Sequence, residues 1–269
     1  MSYGYNTKFL AIGVRRDGRW PGGEGFMYYN KKARMVIAMI GLCAVVTTGV
    51  LFAMDRTKYT SVQPSSIDTI VVDPGHGGAD GGAVGYNNIV EKDINLHIAQ
   101  KLRDMLIASG FKVVMTRDAD VMINDDDAMN LTQKKKSDMH NRLKIMQDNP
   151  NSLTISVHQN KFEQSQYSGA QMFYGPKNPQ SQILGSCIQK AFVDNLQKDN
   201  TRQIKKAQKD LYLLYHAQTP SVLVECGFLS NPEESKLLID DTYQNKVAFT
   251  IMSGILNYLK GEQPEQSAT

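Results

Sequence analysis

Four residues, each at the end or the start of an apolar run, are the groups in this chain whose types suit metal and acid–base chemistry. Ile70-Val71-Val72 leads to His76, Ile155-Ser156-Val157 to His158 and Val222-Leu223-Val224 to Glu225, while Glu91 opens a segment of helical period. Two imidazoles and a carboxylate make the ligand set of a catalytic zinc ion whose fourth position stays open to water. Such an ion lowers the pKa of bound water towards about 7 and polarises a carbonyl oxygen, and both effects help to cleave an unactivated amide. A second carboxylate must then take a proton from the water and pass it to the leaving amine. His76, Glu91 and His158 as metal ligands, with Glu225 as the acid–base group, fill those roles.

Taken one at a time, the same residues have plainer readings. A histidine at a strand end is commonly a hydrogen-bonded structural group, Glu91 is a helix N-terminal charge favoured by the dipole, and Glu225 is a partner for a nearby cation. Nothing in the chain matches HExxH, so spacing alone does not decide. Convergence does, and convergence belongs to the elements that carry these groups. His97 lies six positions from Glu91, roughly opposite on the helix and solvated, and His140 and His216 sit in polar surroundings, so all three are left out of the site.

The elements themselves read clearly. Ile70-Val71-Val72 is a short β-branched run stopped by Pro74 and Gly75, the pattern of a buried strand. Glu91 to Ser109 follows, with Ile94, Ile98, Leu102, Met105 and Leu106 at helical spacing and Gly110 as a stop. Residues 111–115 form another strand, and strand, helix, strand in succession is a βαβ unit with a parallel sheet. A helix over 131–148, strands at 153–157 and 169–174 and a helix over 181–197 come next. Apolar runs at 211–214 and 221–224 and a closing amphipathic helix over 247–259 complete the series. The expectation is a single α/β domain over 67–260, with a mixed, mostly parallel sheet flanked by helices on both faces. In such a sheet the carboxyl ends of the strands line one edge, where ligands bind, so His76, His158 and Glu225 can meet there. The glycines of 75–85 let backbone approach the metal and leave room for a bulky polymer.

Outside that domain, residues 35–54 carry no charge and are long enough to span a bilayer as a transmembrane anchor or signal, with Lys31, Lys32 and Arg34 just before them. The domain is therefore expected outside the cytoplasm, joined by a polar linker over 55–66 and followed by a polar tail over 261–269. Residues 1–34 have no apolar period and read as a cytoplasmic segment, or as a mis-started one with Met27 or Met35 the true start. Thirty basic residues against 27 acidic ones leave a net charge of only +3, scattered apart from Lys134-Lys135-Lys136, which argues against a nucleic-acid partner. Cys187 and Cys226 are too few for a disulfide framework.

In five ordered blocks the sequence resembles the zinc-dependent N-acetylmuramoyl-L-alanine amidases of the amidase_3 type. The blocks are VDPGHGG at 72–78, EKDINLHIAQKL at 91–102, VVMTRD at 113–118, SVHQN at 156–160 and PSVLVECGFLSNPEE at 220–234. The resemblance implies zinc held by His76, Glu91 and His158, Glu225 as the catalytic acid–base, and hydrolysis of the amide between N-acetylmuramic acid and L-alanine of peptidoglycan. Two positions depart from the family's habit: Gln159, where Ala is usual, and Cys226, where a small or β-branched residue is common. One N-terminal apolar segment and no wall-binding repeats resemble, within the family, the germination-specific cortex amidases of endospore formers, which work with a partner deacetylase to make muramic lactam. A vegetative autolytic or cell-separation amidase is the alternative, as is a zinc carboxypeptidase or deacetylase using the same groups. Some family members need an accessory lipoprotein. Residues 118–130 and 161–168 are expected to shape the substrate groove, with Arg117 and Asn160 near the muropeptide.

Overall fold

The computed structural model describes residues 67–264, together with Thr47. The segments 1–34 and 55–66 lie outside the described residues, as does the apolar run 35–54 apart from Thr47. Among the described residues no helix is long and apolar enough to cross a membrane.

The strands are β1 (Thr69–Pro74), β2 (Lys112–Met115), β3 (Ser152–Asn160), β4 (Gln171–Tyr174), β5 (Lys205–Lys206) and β6 (Ser221–Phe228). The helices are α1 (Glu91–Ala108), α2 (Leu131–Gln147), α3 (Gln180–Asn195), α4 (Tyr212–His216), α5 (Pro232–Leu238) and α6 (Asp241–Leu259). The sheet order is β2-β1-β3-β6-β4-β5. β2, β1, β3 and β6 run parallel, β4 pairs antiparallel with β6, and β5 is parallel to β4. The expected mixed, mostly parallel sheet is what forms.

Alternation along the strands divides the molecule into two faces. Ile70, Val72, Leu153, Ile155, Val157, Val222, Val224 and Cys226 pack with α1, α3 and α6 into one continuous apolar core. Each such aliphatic side chain removed from water contributes roughly 1.5–3 kcal/mol before entropy is counted. Val71 and Leu223 point the other way, into a smaller cluster with Leu143 and Met146 of α2 and Leu213 and Leu214 of α4. Helices thus cover both faces. The run 211–214 joins a short helix rather than a strand, because Leu213 and Leu214 face the sheet from a single turn. The β5 pair and α5 carry no apolar period long enough to be read in advance.

Where elements end is set locally. Gly110 closes α1 in the left-handed conformation with φ 91°. Asn130 caps α2 by accepting from the Gln133 N–H at 3.0 Å, and Asp240 caps α6 by accepting from the Tyr243 N–H at 2.8 Å. The closing helix starts at Asp241 rather than near Val247, since that cap adds a turn and a half before the first core residue.

Candidate metal centre

Three of the four singled-out residues come from adjoining parallel strands, at one edge. β1 ends at Pro74 and delivers His76, and β3 and β6 pair so that His158 is the register partner of Glu225. Glu91 arrives from the first turn of α1, where it is 3% exposed. The helix start is capped by the glycine loop itself: Glu91 N–H donates to Ala83 O at 3.0 Å and Lys92 N–H to Gly81 O at 3.2 Å.

The ligand atoms of His76, Glu91 and His158 all lie within 4.8 Å of one another. His76 Nε2 is 3.2 Å from Glu91 Oε2 and His158 Nδ1 is 3.0 Å from Glu91 Oε1. Ligand atoms about 2 Å from a tetrahedral zinc stand about 3.3 Å apart, so the observed spacing suits that ion. The donor set is also right, with two imidazoles and one carboxylate. Burial opposes charge on His76, yet its hydrogen bonds to Asp80 and Glu91 outweigh this and raise it to about 9 in the metal-free protein. Glu91 is held well below the usual carboxylate range: burial opposes its charge, but hydrogen bonds to the two histidines prevail.

Asp80 was not singled out in the sequence, although it lies only four residues from His76. Its Oδ2 accepts from His76 Nδ1 at 2.8 Å, and Lys135 of α2 bonds its Oδ1 at 2.6 Å. A carboxylate on the outer nitrogen of a ligand histidine fixes its tautomer and ring orientation. The residue spacing around His76 was the available signal.

His76 has a φ of 61°, in the left-handed region that costs a non-glycine residue about 1–3 kcal/mol. Arg142, fully buried on α2, offsets that cost. It donates to His76 O and Pro74 O at 2.7 Å and pairs with Asp73 and Asp138 at 2.7 Å each. Asp73 in turn accepts from Ser156 Oγ and Thr116 Oγ1 at 2.6 Å. Arg117, expected near the substrate, is 3% exposed and points inward. It donates to Pro74 O, Gly75 O, Lys92 O and Ala119 O, bolting β1 to the start of α1. Asn160 ends β3 with its carbonyl spent on Leu229 N–H.

Two of the glycines bring the backbone close to the metal-site side chains, as expected of them. A Cβ on Gly75 would collide with the His158 imidazole, and one on Gly82 (φ 69°) would come within 2.6 Å of Glu91 Oε2 and His76 Cδ2.

Glu225 stands beside this group with its Oε2 buried and without a hydrogen-bond partner. Burial pushes its carboxyl up to about 7; His158 opposes the rise and the Glu91 anion adds to it. The site opens into a cavity of about 400 Å³. Its opposite wall is Lys135 and Met139 of α2 and the stretch Asp210–Leu214. Neither 118–130 nor 161–168 lines it: Asp120 ties the first segment to the histidine loop through Gly78 N–H, Asp125 ties it to Ser137 of α2, and the end of the second borders a separate surface pocket. His97 and His140 are exposed, as expected. Cys187 and Cys226 are buried and free.

Comparison with known proteins places the chain. Residues 70–257 match a family model described as N-acetylmuramoyl-L-alanine amidase. A germination-specific N-acetylmuramoyl-L-alanine amidase of Bacillus subtilis is 39% identical over 204 residues, 75% of this chain and 85% of the relative. Among solved structures, the CwlD amidase from Clostridioides difficile, in complex with the GerS lipoprotein, is 42% identical with a TM-score of 0.70, covering 72% of this chain and all of that one. The catalytic domain of CwlV, an N-acetylmuramoyl-L-alanine amidase of Bacillus (Paenibacillus) polymyxa, is 27% identical with a TM-score of 0.62, covering 73% of this chain and all of that one.

Proposed function

The chain belongs to the N-acetylmuramoyl-L-alanine amidase family, and from that premise we propose that it is a zinc enzyme of the spore cortex, with His76, Glu91 and His158 as the ligands and Glu225 as the acid–base group. The observation that carries the reading is the meeting of the three ligand atoms next to a carboxylate whose oxygen has no partner. Zinc, when bound, supplies a Lewis acid for the amide carbonyl and makes water more acidic.

The chain's own residues do the rest. Glu225, held near neutrality by burial, takes the proton as water oxygen adds to the lactyl carbonyl carbon, and returns it to the departing nitrogen as the C–N bond breaks. L-Alanine leaves as a free amine and the muramic acid keeps a carboxylate. Asp80 keeps His76 Nε2 turned to the site, and Arg142 and Arg117 keep the loop from shifting. The apolar wall of Met139, Leu211, Leu213 and Leu223 keeps bulk water from the acid–base group.

The biological assignment rests on the germination-specific relative and on the likeness to the CwlD amidase. It places the domain outside the cytoplasm, anchored or exported through residues 35–54, with a partner deacetylase acting on the stripped muramic acid. The neighbour's lipoprotein complex supports an accessory lipoprotein for this chain too.

The test is digestion of cortex and vegetative peptidoglycan by the full chain, with and without zinc, scoring new amino-terminal L-alanine against glycan reducing ends and acetate. Zinc-dependent L-alanine termini, abolished in Glu225→Gln, are expected, with cortex the better substrate. Acetate or a C-terminal amino acid as product would reject the amidase assignment, and equal rates on both walls would reject the cortex role.

A further inference from the structure

Gln159 and Cys226 sit on neighbouring, paired strands. They follow directly on His158 and Glu225 in the paired strands β3 and β6, so each points to the face opposite the cavity, behind the ligands. Gln159 is 3% exposed and Cys226 fully buried, and the Gln159 Oε1 is buried without a hydrogen-bond partner. Polar side chains are rare in this apolar core, and their connections run to the metal-site carboxylate.

Gln159 Nε2 donates to Asn95 Oδ1 at 3.2 Å. Asn95 Nδ2 donates to Glu91 Oε1 at 3.1 Å and to Gly75 O at 3.2 Å. The Gln159 backbone N–H donates to the same Glu91 oxygen at 3.2 Å. On the other side Ala83 N–H donates to Glu91 Oε2 at 2.8 Å. Each carboxylate oxygen therefore has one imidazole in front and fixed donors behind. Glu91 Oε1 and Gly75 O can only accept, so they demand the Asn95 amide nitrogen and turn its oxygen to Gln159, whose Nε2 donates to it.

We propose that Gln159 is a positioning residue for the metal site, acting through Asn95 to hold the Glu91 carboxylate with one oxygen towards each histidine. The inference rests on the reading of His76, Glu91 and His158 as metal ligands. Partners behind metal ligands typically change metal affinity by about tenfold to a hundredfold when removed. The same range is expected here, without loss of the fold.

The experiment compares the full chain with Gln159→Met, which keeps the volume but has no N–H, and with Gln159→Ala, which removes the amide altogether. Zinc affinity is measured by chelator competition, the visible ligand-field spectrum is recorded with Co2+ in place of zinc, and thermal unfolding is followed without metal. Zinc binding about tenfold to a hundredfold weaker in both variants, with an altered Co2+ spectrum and near-native unfolding of the metal-free protein, is the expected result. If Gln159→Met fails to fold, Gln159→Ala, which cannot overpack, supplies the same comparison. Wild-type affinity and spectrum in a folded variant would overturn the positioning role while leaving the metal site intact. Absence of zinc binding by the wild-type chain would overturn both.

Discussion

The two faces of the sheet are built from different materials. Beneath α1, α3 and α6 the packing is aliphatic and aromatic, with Phe192, Ile155, Leu102 and Met172 fully buried. Under α2 the interior holds Arg142, Asp73, Asp138, Thr116 and Ser156, all buried and all hydrogen-bonded to one another or to the loop that carries His76. The first face is where most of the apolar area is removed from water, so it supplies most of the stability. The second spends buried charge on holding a strained loop. A buried ion pair is weak evidence for stability but strongly costly to break, so its place here is positional. The edge between the faces is where the ligands converge, and the division predicts which changes separate folding from chemistry.

The largest effect belongs to Glu225→Gln. It removes the proton carrier and should lower kcat by about a hundredfold to ten-thousandfold. The melting temperature of the metal-free protein should not fall, because the unpartnered Oε2 contributes nothing to the fold. A drop in both would mean Glu225 belongs to the structural side of the division. Phe192→Ala is the opposite case. The side chain is fully buried in the apolar face, so its loss should cost about 3–5 kcal/mol in denaturant unfolding, with kcat per folded, metal-loaded molecule unchanged.

The sequence carried the apolar face almost whole, and only part of the polar one. Ile70-Val71-Val72, Ile155-Ser156-Val157 and Val222-Leu223-Val224 announce buried strands through local composition, and Glu91 announces a helix start. Each of those signals spans a few neighbouring residues. Arg142 and Asp73 are 69 residues apart, and no local pattern marks them as partners. Arg117, two residues past β2, was expected near the muropeptide, yet its guanidinium is consumed by four backbone carbonyls. The cavity's far wall was missed for a similar reason: Met139 and Leu211–Leu214 reach it only because α2 and α4 pack side by side. Chemistry-bearing residues were legible since type and strand end suffice, while the groups that hold them depend on tertiary placement.

Acid should expose the difference between the faces. Burial opposes charge on Asp73, but Arg142 and the hydroxyls of Ser156 and Thr116 outweigh it and bring the carboxyl from 3.8 down to about 2. A depressed carboxylate stabilises the fold above its unfolded value, and that stability is lost as pH falls from about 3.8 through 2. The amount for Asp73 is roughly 2 kcal/mol. Amide hydrogen exchange between pH 5 and 2 should therefore show α2 losing protection before α1 and α3 do. Simultaneous loss across all three helices would show that the polar network carries no separate share of the stability.

The smallest effects offer the sharpest version of the comparison, because the same chemistry occurs on both faces. Asn130 caps α2 and Asp240 caps α6, each by accepting a single backbone N–H in the first turn. Replacing either by Ala should cost about 1 kcal/mol in unfolding. α6 packs against α1 and α3 and lines no part of the cavity, so Asp240→Ala should leave kcat and zinc affinity where they were. α2 carries Arg142 to the His76 carbonyl and Lys135 to Asp80, so loosening its first turns should weaken zinc binding several-fold at the same loss of stability. Matched unfolding curves with divergent metal affinities would establish that position on the sheet decides what a given kilocalorie does. Equal effects on affinity would mean that the metal site senses global stability alone, and the polar face would lose its claim to a positioning role.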